Sequence, residues 1–225
     1  FFGNAENPVA AQADLGSNTT AQNHWGVVAI LVEQSLLDDG NNYAGLTASY
    51  GDKLKASSLR DRINRYAVDV QGSQDFTKAQ IIKILKTDKV EQITSVLEKF
   101  YLEGDGTPNE ITKLSGVVVI GDVPLPVVNK GGNHFVSMFP YTDFEDKAYI
   151  YNAQSGDYEA NSDLKFPKAE VWHGVINPPV GADEGRQLMA SYFDKNHLFH
   201  LGVPEFAQFD KKIFSCIGFS FIFTL

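Results

Sequence analysis

Two hydrophobic patterns alternate along this chain: short continuous apolar runs, and longer stretches with apolar residues three and four apart. Residues 25–32, from Trp25 to Val32, are apolar throughout. Such a run suits a strand covered on both faces, as a parallel sheet requires. After a Gly/Asn-rich connection, Leu54, Leu59, Ile63 and Tyr66 fall at helical spacing. Residues 66–70 then read as a second strand. The strongest helical signal covers residues 76–101, where Ile81, Ile82, Leu85, Val90, Ile93, Val96, Leu97 and Phe100 recur, as two helices if broken near Thr87 and Asp88. Residues 114–122 form a third apolar strand ending in Gly121-Asp122. Tyr149 to Tyr151 and Asp157 to Glu159 flank a Gly-containing turn and predict a hairpin. Residues 169–176 read as a fourth core strand, stopped by Asn177 and two prolines. Residues 183–201 read as a helix with Leu188, Met189, Tyr192, Phe193 and Leu198 on its buried face.

Strand, helix, strand, helix, strand is the order of a parallel sheet with right-handed crossovers. The expected fold class is therefore a three-layer α/β domain over residues 23–225. Residues 1–22 are rich in Ala, Asn, Thr and Gln and read as a flexible lead-in. The opening Phe1-Phe2-Gly3 resembles the last piece of a signal peptide cleaved near Ala5, which implies a secreted or cell-surface protein. The apolar stretch from Ile213 stops without a polar cap and reads as a buried strand, as the start of a longer element, or as a tail from a misread frame; the domain is expected to be incomplete at its C-terminal end.

Composition narrows the function. The 225 residues include 28 acidic and 19 basic side chains, a formal charge of −9. A surface so negative repels phosphate backbones and argues against nucleic-acid partners. No run of about 18 apolar residues is present to span a membrane. One cysteine, Cys216, excludes an internal disulfide framework and a cysteine-based zinc cluster.

Asp122 ends a predicted strand, and ligands of open parallel sheets bind outside those ends. It is a binding-edge candidate or the cap of the loop that follows. Asp143, Glu145 and Asp146 read as a solvated acidic surface or, alternatively, a calcium site, calcium being the one cofactor the sequence admits. His173, beside Trp172 on a strand, is an edge candidate or a core histidine, and Asp143 is the third edge candidate. His197 and His200 share a helix face but lack a third metal ligand. Cys216 sits among Ile213, Phe214, Ile217 and Phe219, the setting of an inert buried thiol. Neither nucleotide-binding glycine pattern is present, nor a serine elbow.

Three segments resemble the front half of the gingipain-like, caspase-like cysteine peptidases. The first is the strand ending in Gly121-Asp122 with Pro124 and Pro126 behind it. The second is Tyr141-Thr142-Asp143 with Tyr149, Tyr151 and Gly156-Asp157-Tyr158. The third is Pro167 to Ile176, containing Glu170 and Gly174, with Val175 where the family pattern has Arg. The resemblance implies a thiol peptidase acting on peptide or protein substrates through a Cys/His dyad. Of this chain's residues only His200 and Cys216 fall where that dyad is expected, and neither has the family's surroundings, a His-Gly pair and a strand-terminal Cys. The chain is therefore expected to be inactive by itself. Two other readings stay open, a non-catalytic cell-surface or scaffold domain and a flavodoxin-like domain binding a small ligand near Asp122.

Overall fold

The computed structural model describes residues 26–54, 57–73, 77–104, 113–162, 168–178 and 180–207. The lead-in, the apolar tail and Cys216 lie outside the described residues. In chain order the elements are β1 (Gly26–Glu33), α1 (Gln34–Leu37), β2 (Asn42–Tyr43), α2 (Thr47–Leu54), β3 (Ser57–Ser58) and α3 (Leu59–Ser73). Next come β4 (Thr77–Ile84), α4 (Val90–Glu103), β5 (Lys113–Ile120), β6 (Val127–Lys130) and β7 (Asn133–Val136). The last are β8 (Tyr149–Tyr151), β9 (Tyr158–Ala160), β10 (Trp172–Ile176), α5 (Ala182–His200) and α6 (Pro204–Ala207).

The main sheet has the order β10-β5-β1-β4, and every pair in it is parallel. β1 is buried along its whole length, as its unbroken apolar sequence requires. Val28, Ile30 and Val32 face one layer, made by α3 and α5 through Leu59, Ile63, Ala67, Met189, Ala190 and Phe193. Ala29 and Leu31 face the opposite layer, where Ile93 and Leu97 of α4 pack beside Tyr141 and Phe144. The chain is thus a three-layer α/β fold. It starts mid-sheet, moves outward to β4 and returns past β1 to β5, so the direction of winding reverses between β1 and β5.

Two predicted elements are corrected. Residues 66–70 are not a strand but the continuation of α3. Leu59, Ile63, Tyr66, Ala67 and Val70 are buried at spacings of four, three, one and three, while Val68 is half exposed; one helical stripe explains all five. The second strand is instead β4, inside the stretch read as helix. There Ala79 and Ile81 face the α3 layer while Ile82 and Ile84 face the α4 layer. A strand buried on both faces yields adjacent apolar residues that also satisfy a helical template. The predicted break near Thr87 and Asp88 is the strand-to-helix turn, in which the Asp88 carboxylate accepts from the Leu85 N–H at 2.8 Å.

A second sheet of order β7-β6-β9-β8 is inserted between β5 and β10. β6 and β7 turn through Gly131 and Gly132, both in the left-handed region that glycine tolerates (φ 62° and 84°). β8 and β9 form the expected hairpin. β10 lies at the end of the main sheet and is only partly buried. Among the described residues, no helix is long and apolar enough to cross a membrane.

Candidate functional site

The carboxyl ends of the four parallel strands open onto one polar cleft. β1 ends in Glu33, the connection after β4 begins with Leu85 and Lys86, β5 runs into Gly121 and Asp122, and β10 into Asn177 and Pro178. The first turns of α5 close it with Gly185 and Arg186. One lobe is an open depression of about 580 Å³ and the other a half-open one of about 460 Å³; Glu33, Ser35, Lys86 and Arg186 line both. This is the crevice at which an open α/β sheet offers a ligand site, beside its winding reversal.

Glu33 organises the floor. Its Oε1 accepts from the Ser35 hydroxyl at 2.6 Å and its Oε2 from the Asp122 N–H at 2.8 Å. Lys86 Nζ lies 2.9 Å from Asp122 Oδ2 and 3.4 Å from Glu33 Oε1. Gly121 makes this approach possible. It has φ +81°, and a Cβ there would stand 2.6 Å from Leu36 Cδ1 and 2.9 Å from Glu33 Oε2. At the far wall Asp39 Oδ2 accepts from the Tyr43 hydroxyl at 2.6 Å and pairs with Arg186 at 3.3 Å, while its Oδ1 accepts from the Asn41 N–H.

These contacts fix the charges. Burial acts to raise the Glu33 carboxyl, but the Ser35 hydroxyl, the Asp122 N–H and Lys86 outweigh it and hold Glu33 below its ordinary range. Asp39 follows the same course: burial raises it, and Tyr43, Asn41 and Arg186 bring it below. Lys86 is raised, first by its hydrogen bond to Asp122 and then by Glu33. The cleft therefore presents ionised carboxylates beside a protonated amine and a guanidinium. Such an array suits orienting a charged group by electrostatics.

The other predicted site residues are dispersed. Asp122 does reach the strand-end rim, with its side chain largely in solvent. It does not cap the loop behind it but pairs with Lys86. Asp143 is buried, and its two oxygens accept from the N–H groups of Lys147 (3.0 Å) and Ala148 (2.7 Å). Glu145 accepts from the Tyr101 hydroxyl at 2.5 Å, a bond that raises the phenol to about 12. Asp146 is exposed. The three acidic residues thus do not converge, and among the described residues no group of three or more His, Cys, Asp or Glu is arranged to hold a metal ion. His173 sits in the middle of β10 opposite Val117, away from the carboxyl ends of the strands, and burial lowers its imidazole below the usual value. α5 has nineteen residues and so spans about 28 Å; its first turns line the cleft, and His200 is carried to its other end. His197, also on α5, pairs with Asp69 of α3 at 3.0 Å, a structural bond.

Glu33, Ser35, Asp39, Lys86 and Arg186 were not anticipated. Glu33 carried a readable signal, since it follows the apolar run of β1 directly. Lys86 becomes visible only once β4 is read as a strand. Arg186 is one basic residue among many on a helix.

The three segments that carry the family resemblance meet in space. The Tyr141 hydroxyl donates to the Pro124 carbonyl at 2.7 Å. The Thr142 carbonyl accepts from the N–H groups of Glu170 (2.9 Å) and Val171 (3.3 Å). In return, Glu170 Oε2 accepts from the Phe144 N–H at 2.8 Å and the Glu145 N–H at 3.4 Å. Comparison of the chain with protein-family models, curated proteins and solved structures returned no match.

Proposed function

We propose that this chain is the front part of a gingipain-like cysteine peptidase domain, secreted or displayed at the cell surface, in which these residues build the frame and do not supply the catalytic thiolate. One observation carries the reading: the three segments that resemble the family are separate in sequence, yet hydrogen bonds join each to the next, as pieces of one motif set would be. The bonds from Tyr141, Glu170 and Asp143 all end on backbone groups, so these motif residues hold the β5-to-β10 connection in place. A thiol peptidase needs a thiolate with a base beside it. His200 is exposed at the end of α5 and far from the strand-end cleft.

Reading the coding sequence onward from Leu225 tests the ancestry. A His-Gly pair followed by a Cys closing a later strand supports it, and a continuation with neither overturns it. A fluorogenic casein assay tests the division of labour. The purified chain is expected to release no fluorescence above buffer. Cleavage that a thiol-blocking reagent stops, and that Cys216→Ala abolishes, would refute it.

A second reading, a flavodoxin-like domain that binds a small ligand, is favoured by the cleft itself, which touches all four strand ends. Titration with free amino acids, whose paired charges complement Lys86 and Asp122, tests it through the Asp122 amide resonance. No shift at millimolar concentration removes that reading.

A further inference from the structure

We propose that a pocket beside β10, separate in character from the charged cleft, binds a neutral aromatic ring carrying a hydrogen-bond acceptor. The pocket lies between the sheet and the α3/α5 layer and encloses about 170 Å³. A dry apolar cavity of roughly 150 Å³ takes up benzene, so the volume suits a single ring. Its walls are Tyr66, Val118, Trp172, Ile176, Met189 and Tyr192, and no charged side chain lines it. A charged ligand would lose its hydration there without compensation.

The space is formed by two glycines. At Gly116 a Cβ would stand 2.2 Å from Trp172 Cε2, so the indole of β10 lies across the neighbouring strand in place of a side chain. Above Gly174 nothing lies within 4 Å of a Cβ. The middle of β10 is thus bare on this side, while Trp172, two residues earlier, stands 43% exposed as an end wall. The side walls are fixed by the fully buried Phe193, whose ring lies 5.4 Å from that of Tyr66 and 5.6 Å from that of Tyr192. The rings are therefore positioned before any ligand enters, which lowers the ordering cost of binding.

The acceptor follows from the two phenols. Tyr66 is 9% exposed, and among the described residues neither its hydroxyl nor that of Tyr192 has a hydrogen-bond partner. Burial pushes both phenols up, so both keep their proton and act as donors. Both hydroxyls line the pocket as donors, and a carbonyl oxygen on the ring's substituent would accept from them. This chemistry has two sources: a free aromatic amide, or the side chain and backbone carbonyl of an extended peptide lying along β10, the end strand of its sheet.

The experiment uses the full chain with Trp25→Phe, which leaves Trp172 as the one indole, since the sequence has two. Benzamide is the first probe. A saturable change in Trp172 fluorescence is expected at millimolar concentration. Tyr192→Phe weakens it several-fold with the melting temperature kept. Gly174→Leu fills the open space and abolishes binding. Gly174 adopts a backbone conformation open to other residues, and Gly174→Ala, a smaller filler, lowers affinity several-fold if the leucine variant does not fold. The second probe is a capped hexapeptide with one central Phe, against the same peptide with Ala. Tighter binding of the Phe peptide than of benzamide assigns the site to peptides; binding of benzamide alone assigns it to a free compound. No saturable change with either probe, or undiminished binding in a folded Gly174 variant, overturns the proposal.

Discussion

Replacing Asp194 with alanine should destabilise the chain more than loss of any surface ion pair, because one buried carboxylate pairs with two guanidinium groups. Asp194 Oδ1 accepts from Arg62 Nε at 2.9 Å and from Arg65 Nη2 at 2.6 Å. Its Oδ2 accepts from Arg62 Nη2 at 3.1 Å and from the Leu46 N–H at 2.9 Å. The side chains of Arg62 and Asp194 are both fully buried. Arg62 also donates to the carbonyls of Ser57 and Tyr43, and Arg65 to that of Leu54. The cluster therefore ties α5 to α3 and to the whole excursion between α1 and α3. Removing the carboxylate leaves the Arg62 charge buried and uncompensated, a loss of about 3–5 kcal/mol. Set against a total stability of about 5–15 kcal/mol, that is a large share, and at about 2–4 °C per kcal/mol for a domain of this size the melting temperature falls by about 10 °C. Urea titration followed by far-UV circular dichroism measures it. Glu103→Ala, which removes the exposed pair with Lys99, is the control and should leave the midpoint unchanged. The pair Arg62→Leu with Asp194→Leu should recover part of the loss, because the fully buried Arg62 charge is then gone and only Arg65, which reaches solvent, lacks its partner. A loss under about 1 kcal/mol in Asp194→Ala would refute the reasoning, since a desolvated guanidinium cannot be orphaned so cheaply.

Three further outcomes follow from the site and its supports. The folded pKa of Glu33 lies below its ordinary 4.5, so its contribution to stability is present above that value and is lost as pH falls through the folded one; Glu33→Gln should flatten this acid limb of urea midpoint against pH. Gly121→Ala forces a positive φ on an L-residue and drives a methyl into Leu36 and Glu33, so it should cost about 2 kcal/mol or more and shift the amide resonances of Ser35 and Asp122. Asp143→Ala strands two turn N–H groups, a loss of about 1–3 kcal/mol for each one that is buried, read by urea denaturation; an unchanged midpoint would contradict its role as the brace of that turn.

The fold was legible where one physical constraint acted alone. β1 and β5 are buried on both faces and carry little but apolar residues, so they could be read directly. α5 and the second half of residues 76–101 have one wet face and one dry, so helical period identified them. Misreading arose where constraints overlapped. Tyr66, Val68 and Val70 fall two apart, as in a strand, within a helix whose stripe includes Ala67, a residue too small to weigh in the pattern. β4 places isoleucines on both faces, and Ile81, Ile82 and Leu85 then mimic a helix. Of the cleft residues Asp122 was named from the sequence because it follows a correctly read strand, and Glu33 carries the same signal at the end of β1. Lys86 was hidden by the error in β4, and Arg186 by the need to know that the first turns of α5 return to the strand ends.

The division between frame and cleft has a consequence for how the family resemblance should be used. The recognisable residues Tyr141, Asp143 and Glu170 are engaged with backbone groups of nearby turns, and their geometry persists whether or not any reaction occurs. Of the charged groups at the strand ends only Asp122 belongs to the segments that carry the resemblance; Glu33, Asp39, Lys86 and Arg186 lie outside them. The fold depends on the first set, whereas any ligand in the cleft would meet the second. Chains with this motif set can therefore keep the same sheet and connection while changing what the cleft presents. Function should follow the identity of the residues at the positions of Glu33, Lys86 and Arg186 more closely than the motifs by which the fold is recognised.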